Sequence, residues 1–482
     1  MSAPAPAGRP AGTPRCRAAL AAALVTLLAG CVPAPRHPLL KPRTRAPHVR
    51  MAAAGHGSGQ WPQTHWWRAF GDASLNHLIT MGLAASGTLK AALARARAAQ
   101  AAIGVAGGAI GPRLAASGSV SRQRASATGL TPPPFAGATV DYADLGLTGH
   151  TDLSWWDRPH AALRAAVGQA RAAWALGAET RLLVSTQIAQ TYFMLGKAGD
   201  DLRLDRAAAI VRNRLARLTA ARYKAGIASA MRYEAAADAR ATAARHLAGA
   251  RLAVARLKLA LAALVGRGPR YSARIATPHD LPVHRFHAPA RLPLELLARR
   301  PDLRARYWEV QAASAGVIAA KAGYYPDISL DAGLAFQTIS LASLISPANI
   351  TAAIGPAIHL PLFDNGARRA RLSGARARYD TAVALYNKTI LDASSEVARA
   401  LASLAAAHRQ EQFAAAACRH ARLGYRLAMA RFHAGIYGPI PARASRLGVL
   451  DAEQDLIAAR TRVLLADLAL VEALGGGYHD QT

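Results

Sequence analysis

Cysteine is almost missing from this chain, with three residues in 482. Three thiols cannot form a disulfide framework, so stability has to come from packing. Acidic residues are also scarce, 28 against 59 Lys and Arg, for a formal charge of +31 and a pI near 11.3. Such an excess first suggests nucleic acid. Lysine, however, is itself rare, seven against fifty-two Arg, and the Arg lie scattered beside Ala and Leu. No dense tract or aromatic interleaving of the kind used by single-strand binders occurs, so no nucleic acid is expected. Long apolar runs are missing after the N-terminus, which excludes an ordinary spanning helix. Paired catalytic carboxylates, a nucleophile elbow and a phosphate loop are missing too, so neither an enzyme nor a cofactor is expected. His284-Arg-Phe-His287 lacks a third ligand for a metal. Asp364-Asn365-Gly366 is followed by Arg368, Arg369 and Arg371, which repel calcium.

What the chain does contain is a copy of itself. Residues 83–118 align without gaps onto 297–332 at a constant offset of 214, with Leu89 on Leu303 and Pro112 on Pro326. Ala221-Arg-Tyr-Lys-Ala-Gly-Ile227 answers Ala430-Arg-Phe-His-Ala-Gly-Ile436 at an offset of 209. A period this long is a duplicated domain rather than a solenoid unit.

The first thirty residues set the compartment. Arg9, Arg15 and Arg17 precede an apolar stretch at 18–29, and Leu28-Ala29-Gly30-Cys31 closes it. The pattern is a secretory signal of residues 1–30, and its ending resembles a bacterial lipoprotein box. Cys31 is therefore the expected lipidation site, and Val32 after it favours the outer membrane by the same resemblance. Several acyl chains anchor firmly where one is marginal. Residues 31–60, rich in Pro, Arg and Gly, read as a lipidated tether.

The remainder divides into a first repeat at 61–270, a Pro-containing linker at 271–290, a second repeat at 291–477 and a tail at 478–482. After each helical opening the apolar period switches from about 3.6 to 2. Strand pairs are predicted at about 113–124 with 139–154, and 326–338 with 351–363. In the first pair the return segment places Val140, Tyr142, Leu145, Leu147 and Leu153 around Asp144, Thr148, His150 and Asp152. In the second, Ile328, Leu330 and Leu334 alternate with Ser329, Asp331 and Gly333. Each strand has at least the roughly 9–11 residues of a tilted membrane strand. Four strands cannot close a barrel, and open edges in lipid are costly, so a membrane location requires several chains. Three would supply twelve strands.

Each strand pair then turns into a long helix through Asp157 and Pro159 in copy one and Asp364 and Gly366 in copy two. Asp suits an N-cap, and Pro is free of cost in the first turn. Helices are expected from 159 to about 195 and from 367 to about 404. Breaks follow at Gly196-Lys-Ala-Gly-Asp200 and at 405–410, each leading to a returning helix.

These segments resemble the TolC-type outer-membrane factors of tripartite efflux pumps, in particular the NodT-like, fusaric-acid-resistance lipoprotein branch. The carrying stretches are Trp66-Trp-Arg-Ala-Phe-Gly-Asp72, Thr191-Tyr-Phe193, Leu297-Ala-Arg-Arg-Pro-Asp-Leu303, Ala320-Lys-Ala-Gly-Tyr-Tyr-Pro326, Gly355-Pro-Ala-Ile-His-Leu-Pro-Leu-Phe-Asp364 and Leu474-Gly-Gly-Gly477. The resemblance implies an α+β membrane protein: duplicated helical hairpins forming a periplasmic helical barrel below a trimeric, 12-stranded outer-membrane β-barrel. It implies a homotrimer, a periplasmic membrane-fusion adaptor and an inner-membrane transporter of RND, MFS or ABC type, with no cofactor. The activity implied is passive export of small toxic compounds or drugs. Rival readings are the duct of type I protein secretion and a lipid-anchored helical scaffold without a pore. Placing the periplasmic tips at 196–201 and 405–410 makes Lys197, Asp200, Asp201, Glu396 and Arg399 the gate candidates. Relatives often carry an acidic residue after Glu-Val-Ala, where this chain has Arg399, so the ring implied there is basic.

Overall fold

The computed structural model describes residues 38–43, 61–153, 155–279 and 299–479. Cys31, the leader, most of the tether, His284 and His287 lie outside the described residues. Two compact units divide the chain: residues 1–41, 99–170 and 309–384 make the first, and 42–98, 171–308 and 385–482 the second.

The first unit is built on one antiparallel sheet in the order β1 (Arg113–Arg124), β2 (Thr139–Asp152), β3 (Asp327–Thr338) and β4 (Ile350–His359). Each copy of the duplication thus contributes a hairpin, and β2 joins β3 across the two copies. Strand β4 stops at His359, four residues short of the predicted end. Pro361 follows almost at once and has no N–H to donate to a ladder. Pro356 lies inside β4, which within one chain pairs on one side only. Val317, Tyr324, Leu372 and Ala375 form a small apolar cluster among the helical parts of this unit.

The helices are α1 (Ala73–Ala85), α2 (Gly87–Gly108), α3 (Arg158–Lys224), α4 (Ala230–Leu264), α5 (Pro301–Ala322), α6 (Ala367–His433) and α7 (Pro439–Ala473). Asp72 caps α1 by accepting from the amides of Ser74 and Leu75 at 2.8 and 3.1 Å. Ser86 separates α1 from α2: its hydroxyl accepts from the Leu89 amide at 3.2 Å and so starts a new helix.

The predicted turns at 196–200 and 405–410 are not turns. Both lie inside 67-residue helices, α3 and α6. Glycine in a helix costs about 1 kcal/mol, and the run Gly196-Lys-Ala-Gly was read as a breaker on that ground. Tertiary packing overrides it: a Cβ at Gly199 would collide with the side chain of Thr277. Gly199 therefore makes room for a chain crossing, not for a turn. The stretch 405–410 is rich in Ala and continues a helix without difficulty.

The second unit holds the largest core. Trp66, Trp67, Phe70, Ile79, Ile188 and Phe193 are among its buried members, with Leu261, Leu464 and Leu468 closing it. Tyr192 donates to Asp72 Oδ2 at 2.7 Å beside it, and burial, then that bond, pushes its hydroxyl well above the usual tyrosine range. A second seam of Ala and Leu, from Val397 to Ala407, packs on Val463, Ala466 and Leu470.

Candidate functional site: a two-faced sheet and two helical turns

The pairing register sorts every strand residue onto one of two faces. Leu114, Ala116 and Val120 share a face with Leu145 and Leu147 of β2, Leu334 and Phe336 of β3, and Ile354 and Ile358 of β4. All but the half-buried Phe336 are exposed: Leu334 retains 51% of its surface and Ile354 76%. The opposite face carries Asp144, Thr148 and His150 of β2, Ser329 and Asp331 of β3, and Ala357 and His359 of β4. Val140 and Tyr142 also fall on this polar face, because pairing with Gln123 and Ser121 fixes their parity.

Polar groups interlock along that second face. His150 Nδ1 lies 2.6 Å from Asp331 and its Nε2 3.3 Å from Asp152. Arg113 lies 3.7 Å from Asp152, Arg158 reaches Asp327 at 3.1 Å, and the Gln337 amide donates to Asp144 at 3.1 Å. One face is therefore suited to hydrocarbon and the other to water. At one end of the sheet Trp155, Leu362 and Phe363 are exposed, and Trp156 stacks on Tyr325 at 4.6 Å. Aromatic girdles mark the interfaces of membrane barrels.

The two strand-to-helix turns adopt left-handed backbone, with φ of 59° at Asp157 and 53° at Asn365. The Asp157 carbonyl accepts the first helical bond of α3, from Ala161 at 2.8 Å, while its carboxylate takes the Arg164 guanidinium. Pro159 stands in the first turn of α3. Asp364 caps α6, accepting from the amides of Gly366 and Arg368 at 3.2 and 2.9 Å.

The turns between the long helices sit elsewhere than predicted. Copy one turns at 225–229 and copy two at 434–438. Both use the same closure: Ile227 N–H bonds Arg222 O at 2.8 Å and Gly226 N–H bonds Tyr223 O at 3.0 Å. Ile436 to Arg431 and Gly435 to Phe432 repeat it at 3.0 Å each. This is a Schellman ending, which needs left-handed backbone, and Gly226 and Gly435 supply it at φ 72° and 71°. The repeated Ala-Gly-Ile was visible in the sequence as a repeat; its glycine just past a basic last turn was the stop signal that could have placed the turns. Leu204 and Leu215 of α3 pack with Leu447 and Leu450 of α7, so the two hairpins lie side by side.

The five gate candidates are thereby moved off the turns. Lys197 pairs with Asp201 at 2.5 Å, and Asp200 with Arg203 at 3.2 Å, all within α3. Arg399 is an exposed residue in the body of α6, its Nε donating to Ser395 O at 3.4 Å. Glu396 joins a cluster that sequence reasoning missed. Arg300, 7% exposed, lies 2.8 Å from Glu396 and 2.7 Å from Asp302, and donates to Ala473 O at 3.0 Å. Burial, with Asp302 adding to it and Arg300 opposing, pushes the Glu179 carboxyl up to about 7. Burial also raises Glu472, against a hydrogen bond from Thr186. Among the described residues no group of His, Cys, Asp or Glu could hold a metal, and no helix is long and apolar enough to cross a membrane.

A family model described as outer membrane efflux protein matches residues 78–267 and 292–476, one span in each copy. The chain belongs to the outer membrane efflux protein family. It is 30% identical over 468 residues to the multidrug resistance outer membrane protein MdtP of Escherichia coli (strain K12), covering 94% of each chain. The outer membrane protein VceC of Vibrio cholerae superposes with a TM-score of 0.78 at 33% identity, covering 86% of this chain and all of the other. The outer-membrane channel OprN gives 0.81 at 25% identity, covering 92% and 98%. The Campylobacter jejuni outer membrane channel CmeC shares the fold, at a TM-score of 0.83 and 20% identity. This efflux protein is thus a TolC-type outer-membrane channel, its long helices joined to a four-stranded sheet per chain. The resemblance drawn from the sequence named the same family.

Proposed function

We propose that three copies of this efflux protein close a twelve-stranded barrel and form a passive export duct. The supporting observation is the sheet itself: an apolar exposed face, a polar opposite face, and two outer strands, β1 and β4, each paired on one side only. Unpaired strand edges in lipid cost several kcal/mol per group, and closure by further copies removes them. Four strands times three gives an even number within the range of membrane barrels.

The duct performs no chemistry. Small toxic compounds or drugs enter it from an inner-membrane transporter through a periplasmic adaptor, and water-filled space carries them outward. A lipid on Cys31 adds a second anchor. The Leu40 N–H bonds Asp380 Oδ1 at 2.9 Å, nine residues after Cys31, which an extended chain spans in roughly 30 Å. Asp380 lies about 20 Å along α6 from its start at Ala367, so an anchor on Cys31 can reach the level at which the strands end.

Two measurements on detergent-extracted full-length protein test this. Light scattering is expected to give three chains, and planar bilayers to show discrete conductance. A monodisperse monomer, or protein that inserts and never conducts, supports the poreless scaffold instead. Palmitate labelling that is equal in wild type and Cys31→Ser rules out the lipid anchor.

A further inference from the structure

The two ends of the apolar sheet face carry different chemistry. Where the strands meet the helices stand Trp155, Phe363 and the stack of Trp156 on Tyr325. At the other end the same face of β1 finishes in Arg122 and Arg124, both exposed. Leu114, Ala116, Gly118 and Val120 precede them at every second position, so parity puts both guanidinium groups on the side suited to lipid. Ser121 and Gln123, which alternate with them, belong to the polar face. Strand geometry gives the height. Arg122 and Arg124 lie about 27 and 34 Å of strand beyond Leu114, at roughly 3.4 Å per residue. At a tilt near 40° that is a rise of about 21 and 26 Å, against an apolar band about 25 Å tall. Both arginines therefore come level with the headgroups of the outer leaflet, where a charge on the lipid face costs little.

Little at this end neutralises them. Arg122 Nε lies 3.1 Å from Asp141, its cross-strand neighbour, which leaves the two terminal nitrogens of the guanidinium to other acceptors. Among the described residues Arg124 makes no ion pair. Residues 125–138 and 338–350, which complete this end of the two hairpins, contain no Lys, Arg, Asp or Glu. The lipid-suited face thus ends in two cations, Arg122 and Arg124, against one carboxylate, Asp141, in each chain. A guanidinium is planar, forked and weakly hydrated, and it takes phosphate oxygens two at a time. The outer leaflet of an outer membrane is built of glycolipid with phosphate on its sugar headgroup, so the partner of complementary charge stands at the height of these arginines.

We propose that Arg122 and Arg124 form a binding site for the phosphate groups of the outer-leaflet glycolipid. This rests on the duct reading above, because that reading turns the apolar face of the sheet to lipid. Asp141 holds Arg122 in place on the strand, Arg124 supplies the second fork, and Leu114 to Val120 lie along the acyl chains below. The aromatic end and the arginine end of the sheet then match the two leaflets of an asymmetric membrane.

The test titrates detergent-purified full-length protein with fluorescent bisphosphorylated lipid A, with its dephosphorylated form and with phosphatidylglycerol. Wild type is expected to bind the bisphosphorylated form at least about tenfold tighter than the dephosphorylated one, as charge-assisted contacts to phosphate require. Arg122→Gln combined with Arg124→Gln is expected to abolish that preference, whereas Arg399→Gln, which removes a positive charge from α6, is expected to keep it. Equal binding of both forms by wild type, or a preference that survives the double substitution, overturns the proposal. Phosphatidylglycerol binding as tightly as bisphosphorylated lipid A also overturns it, because the arginines would then accept any phosphate headgroup. The wild-type comparison needs no variant, so a double variant that fails to fold does not shelter the proposal. Planar-bilayer recordings of the same preparations separate the two readings: a conducting wild type without phosphate preference sinks the glycolipid site alone, whereas a wild type that inserts and never conducts sinks the duct.

Discussion

Replacing Arg300 by Met tests how the second unit is held together where four segments meet. The guanidinium is buried and contacts Asp302, Glu396 and the Ala473 carbonyl within 3.0 Å. Glu179 and Glu472 complete the surroundings, so one cation faces four carboxylates. Breaking a buried pair from one side typically costs about 3–5 kcal/mol, because the other charge is left uncompensated. The pH dependence has a definite sign. Glu179 is already raised from 4.5 to about 7. As pH rises from 4.5 the unfolded chain loses this proton first, so the raised pKa costs stability progressively and the cost is complete above about 7. Removing Arg300 withdraws the influence that lowers Glu179 and leaves Glu472 only its Thr186 hydrogen bond to oppose burial. The deficit in Arg300→Met is therefore expected to be largest at pH 8 and to shrink by half or more at pH 5, where protonation relieves the carboxylates. Thermal unfolding of detergent-purified protein, followed by helical circular dichroism, is expected to show a loss in Tm on the order of 10 °C at pH 8. Adding Glu179→Gln is expected to recover part of it. A variant with wild-type Tm at both pH values, or one whose deficit grows toward acid, refutes this reasoning.

Three further outcomes follow from particular contacts. Leu334→Arg places a charge on the apolar face and is expected to cost about 2–4 kcal/mol per chain on insertion; Gly333→Arg, one residue away on the polar face, is expected to insert normally, and equal urea-extractable fractions would show that the register is wrong. Gly475→Ala adds a Cβ at φ 84° against the Arg299 carbonyl oxygen and is expected to cost more than 2 kcal/mol through strain and clash together, read as lost folded yield, whereas an unchanged Tm would mean that the segment yields. Arg399→Asp, in the body of α6 and remote from both turns, is expected to leave single-channel conductance and ion preference unchanged; a shift in either would return Arg399 to the gate.

The strands were legible because alternation survives in a sheet with one apolar and one polar face. Ile328 to Phe336 read correctly for that reason. Val140 and Tyr142 are out of step with Leu145 and Leu147 in the sequence, and only pairing with β1 fixes their face. The long helices were legible as helices but not in extent. Gly196 and Gly199 look like breakers, yet Gly199 admits Thr277 beside an uninterrupted helix. Gly226 and Gly435 look similar in sequence and do end helices, because each follows a basic last turn and precedes a Ser- or Gly-Pro-led restart. Arg300 with Glu179, Glu396 and Glu472 could not be read at all: these residues are 76 or more positions apart, and no local pattern joins them.

Gly333→Cys offers the most direct test of three chains sharing one water-filled barrel. Gly333 lies on the polar face, with open space where its side chain would go. Cys418 is buried, and wild type exposed to the same reagent reads out any reaction at Cys16 or Cys31. Single channels of the variant, exposed to a charged water-soluble thiol reagent, are expected to lose conductance in three equal irreversible steps, while Leu334→Cys and wild type are unaffected. One step, or no effect at Gly333→Cys alongside block at Leu334→Cys, contradicts a trimeric barrel with this face inward.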